Sequence, residues 1–165
     1  MSKFRTVFVA GTMQGATPGF AIRDQSYRDD IGDILRAYNP GIECFDPHQA
    51  MQSFIASIGM PLAVGYQKLA ETAVVDEAEL DSEVSLIREK FRELTAYAGK
   101  CDLLVAFLPG GVPSMGTAME MYSAHCGGGV VASITDMRQN LAVLSTSEVI
   151  VPDLPAFESW LATKG

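Results

Sequence analysis

The stretch PGGVPSMGTAMEMYSAH, from Pro109 to His125, joins a carboxylate, two hydroxyls and several glycines directly behind the apolar run CDLLVAFL. A buried strand must therefore end there and a helix restart. Thr117-Ala118-Met119-Glu120 fits a capping box, with Thr117 opening the helix and the Glu120 side chain reaching back to it. That reading explains the threonine and the glutamate without any function. It leaves Gly110, Gly111 and Gly116 unexplained, and it does not require Ser114. Glycines allow close backbone approach to a ligand, and the amides of a helix start attract anions. Glu120 is expected in the first helical turn, where the helix dipole holds it ionised. The loop is thus a good place for a nucleotide-sized ligand.

Two further strand exits carry polar groups. The first, GTMQGATPG, follows TVFVAG and offers Gly11, Thr12, Met13, Gln14 and Gly15. The second, DPHQ, follows IECF and offers Asp46 and His48, with Gln49 beside it. His48 is read either as a contact to a ligand's edge or as a solvated loop residue. His125 falls late on a helix, where a partner of the helix C-terminus is the better explanation. Asp102 reads as a strand-start residue, and Met115, Met119 and Met121 as core and pocket wall.

The elements that must position these groups alternate along the chain. TVFVAG is a central strand. DQSYRDDIGDILRAYNPG is a helix with Asp24 as its cap and Tyr27, Ile31, Ile34, Leu35 and Tyr38 at helical spacing. ELDSEVSLIREKFRELTAYAGK is a long helix carrying Val84, Ile87, Phe91, Leu94 and Tyr97 on one face. VVASIT and EVIVPD are strands, MRQNLAVLS and PAFESWLA helices. Residues 50–80 are apolar but broken by Gly59, Pro61 and Gly65, and read as a lid or insertion with short helices. Strands alternating with helices imply right-handed parallel units and a three-layer, doubly wound α/β fold with five strands. In such sheets ligands lie beyond the carboxyl ends of the strands at the topological switch point, where all three exits meet.

Composition bounds the function. A chain of 165 residues is most simply one domain, able to bury about 70% of its unfolded surface. A net charge of -8 and a pI near 4.6 argue against a nucleic-acid binder. No apolar stretch is long enough to span a bilayer. The start has no signal-peptide layout, and the three scattered cysteines suggest neither a disulfide framework nor a zinc site, so a cytoplasmic setting is expected. Two histidines make a poor metal-ligand set, and no cofactor is implied.

VFVAGTMQG, CDLLVAFLP and PSMGTAMEMYSAH together resemble the nucleoside 2-deoxyribosyltransferase family, closest to its branch of nucleoside 5'-monophosphate N-glycosidases. The resemblance covers most of the core outside residues 50–80 and implies strand order 2-1-3-4-5. It implies a glutamate nucleophile at Glu120 and places Tyr27 on the family's early helix tyrosine, which could orient that glutamate. Pro113-Ser114-Met115-Gly116 has the form of the hydrolase branch, in which the serine contacts a 5'-phosphate; the transferases usually carry aspartate there. The branch's loop arginine is missing from GTMQG, so Arg23 or Arg28 would have to replace it. The family's second carboxylate has only Glu93 near its place. Such a site breaks an N-glycosidic bond through an oxocarbenium-like centre stabilised or trapped by the carboxylate.

The substrate implied is a small nucleoside or nucleotide, held by the three strand exits with Gly111, Ser114, Gly116 and Thr117. LPGG followed by GTAMEM also resembles the motif of cytokinin-activating phosphoribohydrolases, though Val112 to Met115 stand where that motif has one residue. A nucleotide-binding sensor without turnover is a third reading. The family further implies a homodimer or multiple of dimers with shared pockets. Asn140 would reach across to the partner's site, and the apolar stripe of the long helix is broad enough for a core face and part of an isologous interface.

Overall fold

The computed structural model describes residues 3–13 and 23–165. The chain runs β1 (Thr6–Gly11), α1 (Tyr27–Tyr38), β2 (Glu43–Phe45), α2 (Pro47–Ile58), α3 (Met60–Glu71), α4 (Ser82–Ala98) and β3 (Leu103–Leu108). It continues through α5 (Met115–Cys126), β4 (Val130–Thr135), α6 (Leu141–Thr146), β5 (Val149–Val151) and α7 (Leu154–Ala162). All five strands pair in parallel in the order β2-β1-β3-β4-β5, as the alternation and the family resemblance imply.

The central strands are apolar on both faces because both are covered. Val7, Val9, Leu103, Val105, Ala132 and Ile134 pack with α1 and α7 through Tyr27, Ile31, Leu35, Phe157 and Leu161. Phe8, Ala10, Leu104, Ala106 and Val131 pack with α5 and α6 through Met121, Ala124 and Val143. Asp102 is structural: its Oδ2 accepts the amides of Arg5 (2.9 Å) and Thr6 (3.0 Å), and these bonds hold its carboxyl below the usual range. It ties the amino end of the sheet, opposite the strand exits.

Residues 50–80 fold largely into α2 and α3, joined at Gly59, which adopts φ 72°. Met51, Phe54, Ile55, Ile58, Leu62, Tyr66 and Leu69 pack onto Val84 and Ile87 of α4 as a cluster of their own. A Cβ at Gly65 would lie 2.8 Å from Val84 Cγ2, so the glycine permits that approach. The apolar stripe of α4 is thereby spent within the chain. Val84, Ile87 and Leu94 are buried and Phe91 packs near Gly116, so the stripe supplies the core face expected of it. Among the described residues no helix is long and apolar enough to cross a membrane.

Register decides where the site forms. β1 pairs with β2 only from Thr6 to Phe8, yet with β3 as far as Gly11. Past Phe8 the outer edge of β1 is open, and its backbone groups need other partners. That short open edge lies next to the switch point between β1 and β3.

Candidate active site

α5 is capped one turn earlier than the sequence suggests. Ser114 is the N-cap, with extended backbone, and its Oγ accepts from the Thr117 amide at 3.3 Å and the Thr117 hydroxyl at 3.0 Å. Glu120 therefore lies in the second turn and makes no return bond to Thr117. The helix dipole does not hold it ionised: Glu120 is 3% exposed, and burial pushes its carboxyl up to about 8, opposed only in part by Arg28. Desolvation outweighs the dipole because the dipole's benefit fades beyond the first turn. Among the described residues, no hydrogen bond occupies the Glu120 carboxyl.

Tyr27 opens the body of α1, but Asp24 is not its cap. Ser26 takes that place, while Asp24 accepts from the Ser26 amide (3.1 Å) and hydroxyl (2.7 Å). The Tyr27 ring is stacked on Phe107 with centroids 4.4 Å apart, and its hydroxyl donates to Gln25 Oε1 at 3.3 Å. Burial pushes the phenol up to about 12, so it remains a neutral donor at working pH. A Cβ on Gly11 would fall 2.0 Å from the Tyr27 hydroxyl. The glycine of the first strand exit thus serves Tyr27. Gly11→Ala is expected to cost about 1–3 kcal/mol of stability through overpacking, read by denaturant unfolding, and to displace the tyrosine.

By sequence Arg28 enters only as a substitute phosphate contact, with Asp29 and Asp30 beside it. In the fold those aspartates are exposed, whereas Arg28 is 6% exposed. Its Nη1 donates to the Val9 carbonyl on the open edge of β1 and pairs with Asp46 Oδ1 at 3.1 Å. Its Nε donates to Gln25 Oε1 at 2.8 Å, and its guanidinium lies 5.1 Å from the Tyr27 ring centroid. Among the described residues its Nη2 is buried without a partner. Gln25, which the sequence did not single out, orients both Tyr27 and Arg28 and donates to the Thr12 carbonyl at 3.1 Å.

Asp46 also caps α2, accepting from the His48 amide at 2.9 Å. His48 is thus helical rather than a loop residue. Burial and the nearby Arg28 charge hold its imidazole below the usual range, and among the described residues its Nε2 is buried without a partner. The charge of Arg28 bears on Glu120, Tyr27 and His48, and that of Asp46 on Tyr27 and His48.

Other expected residues divide. Thr12 is buried, and the Met13 carbonyl accepts the Arg23 amide at 3.1 Å. Gln14 and Gly15 lie outside the described residues. Gly110 and Gly111 take φ of 68° and 65°, which glycine adopts without strain and which turns the chain from β3 towards Ser114. Gly116 faces Phe91, and a Cβ there would lie in ordinary contact, 3.4 Å from Phe91 Cζ. Glu93 is exposed and paired with Lys90 at 3.1 Å, so it is removed from the catalytic set. Asn140 is exposed and caps α6, its Oδ1 accepting from Ala142 (3.0 Å) and Val143 (3.3 Å). Met121 is core as expected, but Met115 and Met119 are exposed.

A crevice of about 400 Å³ opens against Tyr27 and Phe107, lined also by Thr12, Arg23, Asp24 and Asp30. Among the described residues no three His, Cys, Asp or Glu side chains converge as a metal-ligand set. Because both Ser114 Oγ bonds belong to the helix cap, Ser114→Ala should cost about 1 kcal/mol of stability. Thermal unfolding of the variant checks this.

No family model and no curated protein matches this chain. Solved structures do. One is a 2-deoxyribosyltransferase from the psychrotolerant bacterium Bacillus psychrosaccharolyticus, 15% identical, with 94% of this chain and 95% of that one covered at a TM-score of 0.53. Another is a conserved protein from Enterococcus faecalis V583, 18% identical, with 98% and 99% covered at a TM-score of 0.53. The chain thus has the fold of a solved 2-deoxyribosyltransferase over nearly its whole length.

Proposed function

We propose that this protein cleaves or transfers at the N-glycosidic bond of a nucleoside, with Glu120 as the nucleophile. The observation that carries this reading is a buried carboxyl without a hydrogen-bond partner among the described residues, on the fold of a solved 2-deoxyribosyltransferase. A Glu120 oxygen attacks C1' as the C–N bond breaks, and the base leaves with the bonding electrons and takes up a proton. Attack on C1' by a second base or by water then breaks the ester and frees Glu120. Tyr27, a neutral phenol at working pH, supplies an O–H near the reacting end.

Charge favours an uncharged nucleoside over its 5'-monophosphate. The crevice wall sets one cation, Arg23, against Asp24 and Asp30, and the stretch QGATPGFAI after Met13 contains no charged residue. The Arg28 side chain is 5% exposed and already paired with Asp46. Ser114, the expected phosphate contact, accepts two bonds from Thr117 in the helix cap and keeps only its O–H for a ligand.

Incubation with a panel of nucleosides and monophosphates, following free base and base exchange, tests the reading. Release or exchange is expected from nucleosides, with monophosphates slower. No turnover of either class would overturn it in favour of a sensor, and a strong preference for monophosphates would overturn the substrate choice.

A shared pocket is part of the proposal. Met115, Met119 and Tyr122 are exposed along one face of α5, and Leu141 and Leu144 on neighbouring α6. Lone exposed apolar residues are ordinary, but a stripe flanking the site suits a subunit contact. A second copy covers this face and brings its Asn140 towards the site. Light scattering should show a dimer or multiple at micromolar concentration, and Met119→Asp should lower both assembly and activity. A fully active monomer would contradict this.

A further inference from the structure

We propose that Gln25 is a positioning residue that holds the Tyr27 hydroxyl proton, so that the crevice meets its ligand with acceptor oxygens and selects a sugar hydroxyl by its hydrogen. The sugar rests on the proposed nucleoside reaction; the hold on Tyr27 does not.

Gln25 gathers five partners around one amide. Its Nε2 donates among the carbonyls of Thr12 (3.1 Å), Arg23 (2.9 Å) and Asp24 (3.2 Å). Its Oε1 accepts from Arg28 Nε (2.8 Å) and Tyr27 Oη (3.3 Å). Neighbours with a single role decide this orientation. Carbonyls only accept and Arg28 Nε only donates, so a turned amide would set oxygen against three oxygens and hydrogen against hydrogen. Oε1 therefore faces the phenol, and of these two oxygens only the phenol carries a hydrogen. Burial keeps that phenol neutral, so the hydrogen is there to give.

Both ends of the bond are held. Tyr27 is stacked on Phe107, and its hydroxyl lies so close over Gly11 that no side chain fits there. Gln25 is tied to both sides of the neck at Thr12 and Arg23. The O–H that Tyr27 brings to the site thus turns its oxygen, not its hydrogen, towards a ligand. The crevice wall repeats that polarity. Ser26, which also lines it, gives its hydroxyl proton to Asp24 Oδ2 at 2.7 Å. Two hydroxyls with committed protons and the carboxylates of Asp24 and Asp30 make a wall of acceptors, with Arg23 as a cation beside them. A sugar with free hydroxyls supplies the donors such a wall lacks.

The test has two arms. The first reads the tyrosine Raman doublet, whose intensity ratio separates a donating phenol from an accepting one. The wild-type minus Tyr27→Phe difference is expected to show a donor. Gln25→Leu should lose that signature, and Gln25→Glu, which keeps an oxygen for the phenol, should retain it. If Tyr27→Phe does not fold, the wild-type minus Gln25→Leu difference isolates the same ring. An accepting or unbonded Tyr27 in the wild type, or a signature that Gln25→Leu leaves unchanged, would overturn the proposal. The second arm measures kcat/KM for nucleosides whose sugar hydroxyls are replaced one at a time by fluorine, which is similar in size but cannot donate. At one position the wild type should favour hydroxyl over fluorine at least about tenfold more than Tyr27→Phe does. The comparison between proteins cancels fluorine's electronic effect on the reaction. Gln25→Glu should keep that preference and Gln25→Leu lose it. A preference that survives Tyr27→Phe intact would overturn the ligand assignment while the proposed reaction stands. No turnover of any nucleoside would overturn the reaction and the sugar together, and the Raman arm would still decide Gln25's hold on Tyr27.

Discussion

Glu120→Gln and Glu120→Ala are each expected to lower glycosidic turnover at least ~10³-fold while the chain still folds. The loss is large because the amide can neither attack C1' nor stabilise its developing positive charge. No neighbour can substitute: Glu93 faces solvent, and Asp46 is bound to Arg28 and the α2 cap. Helix α5 does not depend on Glu120, since its cap is Ser114. Residual activity within about tenfold of wild type, a barrier change of only ~1.4 kcal/mol, contradicts the assignment.

The same residue is expected to dominate the pH dependence of stability. Its carboxyl titrates near 8 in the fold, against about 4.5 in a solvated chain. Below the lower value both states are protonated and Glu120 costs nothing. Between the two, the unfolded chain ionises while the folded one keeps its proton, so stability falls as pH rises. Above about 8 the cost levels off, on the order of 3–5 kcal/mol at about 1.4 kcal/mol per unit. Glu120→Gln removes this titration. The variant should gain little at pH 5 and melt about 10 °C above wild type at pH 8 to 9. A melting difference that does not change across this range would show that Glu120 is not held neutral by burial. In turnover the sign reverses: kcat/KM should rise about tenfold per unit up to pH 8 as the carboxylate appears.

Much of this architecture was legible because it follows from local pattern. Apolar β-branched runs such as TVFVAG and LLVAFL, separated by amphipathic helices, admit few arrangements other than a covered parallel sheet. The resemblance of PSMGTAMEMYSAH puts Glu120 forward as a candidate, and helical spacing places Tyr27 on α1. The helix register was not legible at the decisive point. Ser114 and Thr117 are both good caps three residues apart, and choosing between them moves Glu120 by one turn, out of the dipole's reach. Arg28 was hidden for a different reason. An arginine followed by two aspartates in a first helical turn reads as a solvated face. It is buried only because β2 is shorter than β1, a mismatch between distant segments that no local spacing records. The helices that cover the α4 stripe, α2 and α3, were legible only as short and broken, because Gly59, Pro61 and Gly65 interrupt their pattern.

The central claim is that Glu120 forms the bond to the sugar. It is tested most directly by mass spectrometry of the acid-quenched protein after incubation with a nucleoside that it turns over, followed by peptide mapping. The proposed mechanism predicts a glycosyl adduct on the peptide carrying Glu120, formed as base is released, discharged by a second base, and absent from Glu120→Gln. Base release with no adduct under any quench, or an adduct on another residue, would contradict it.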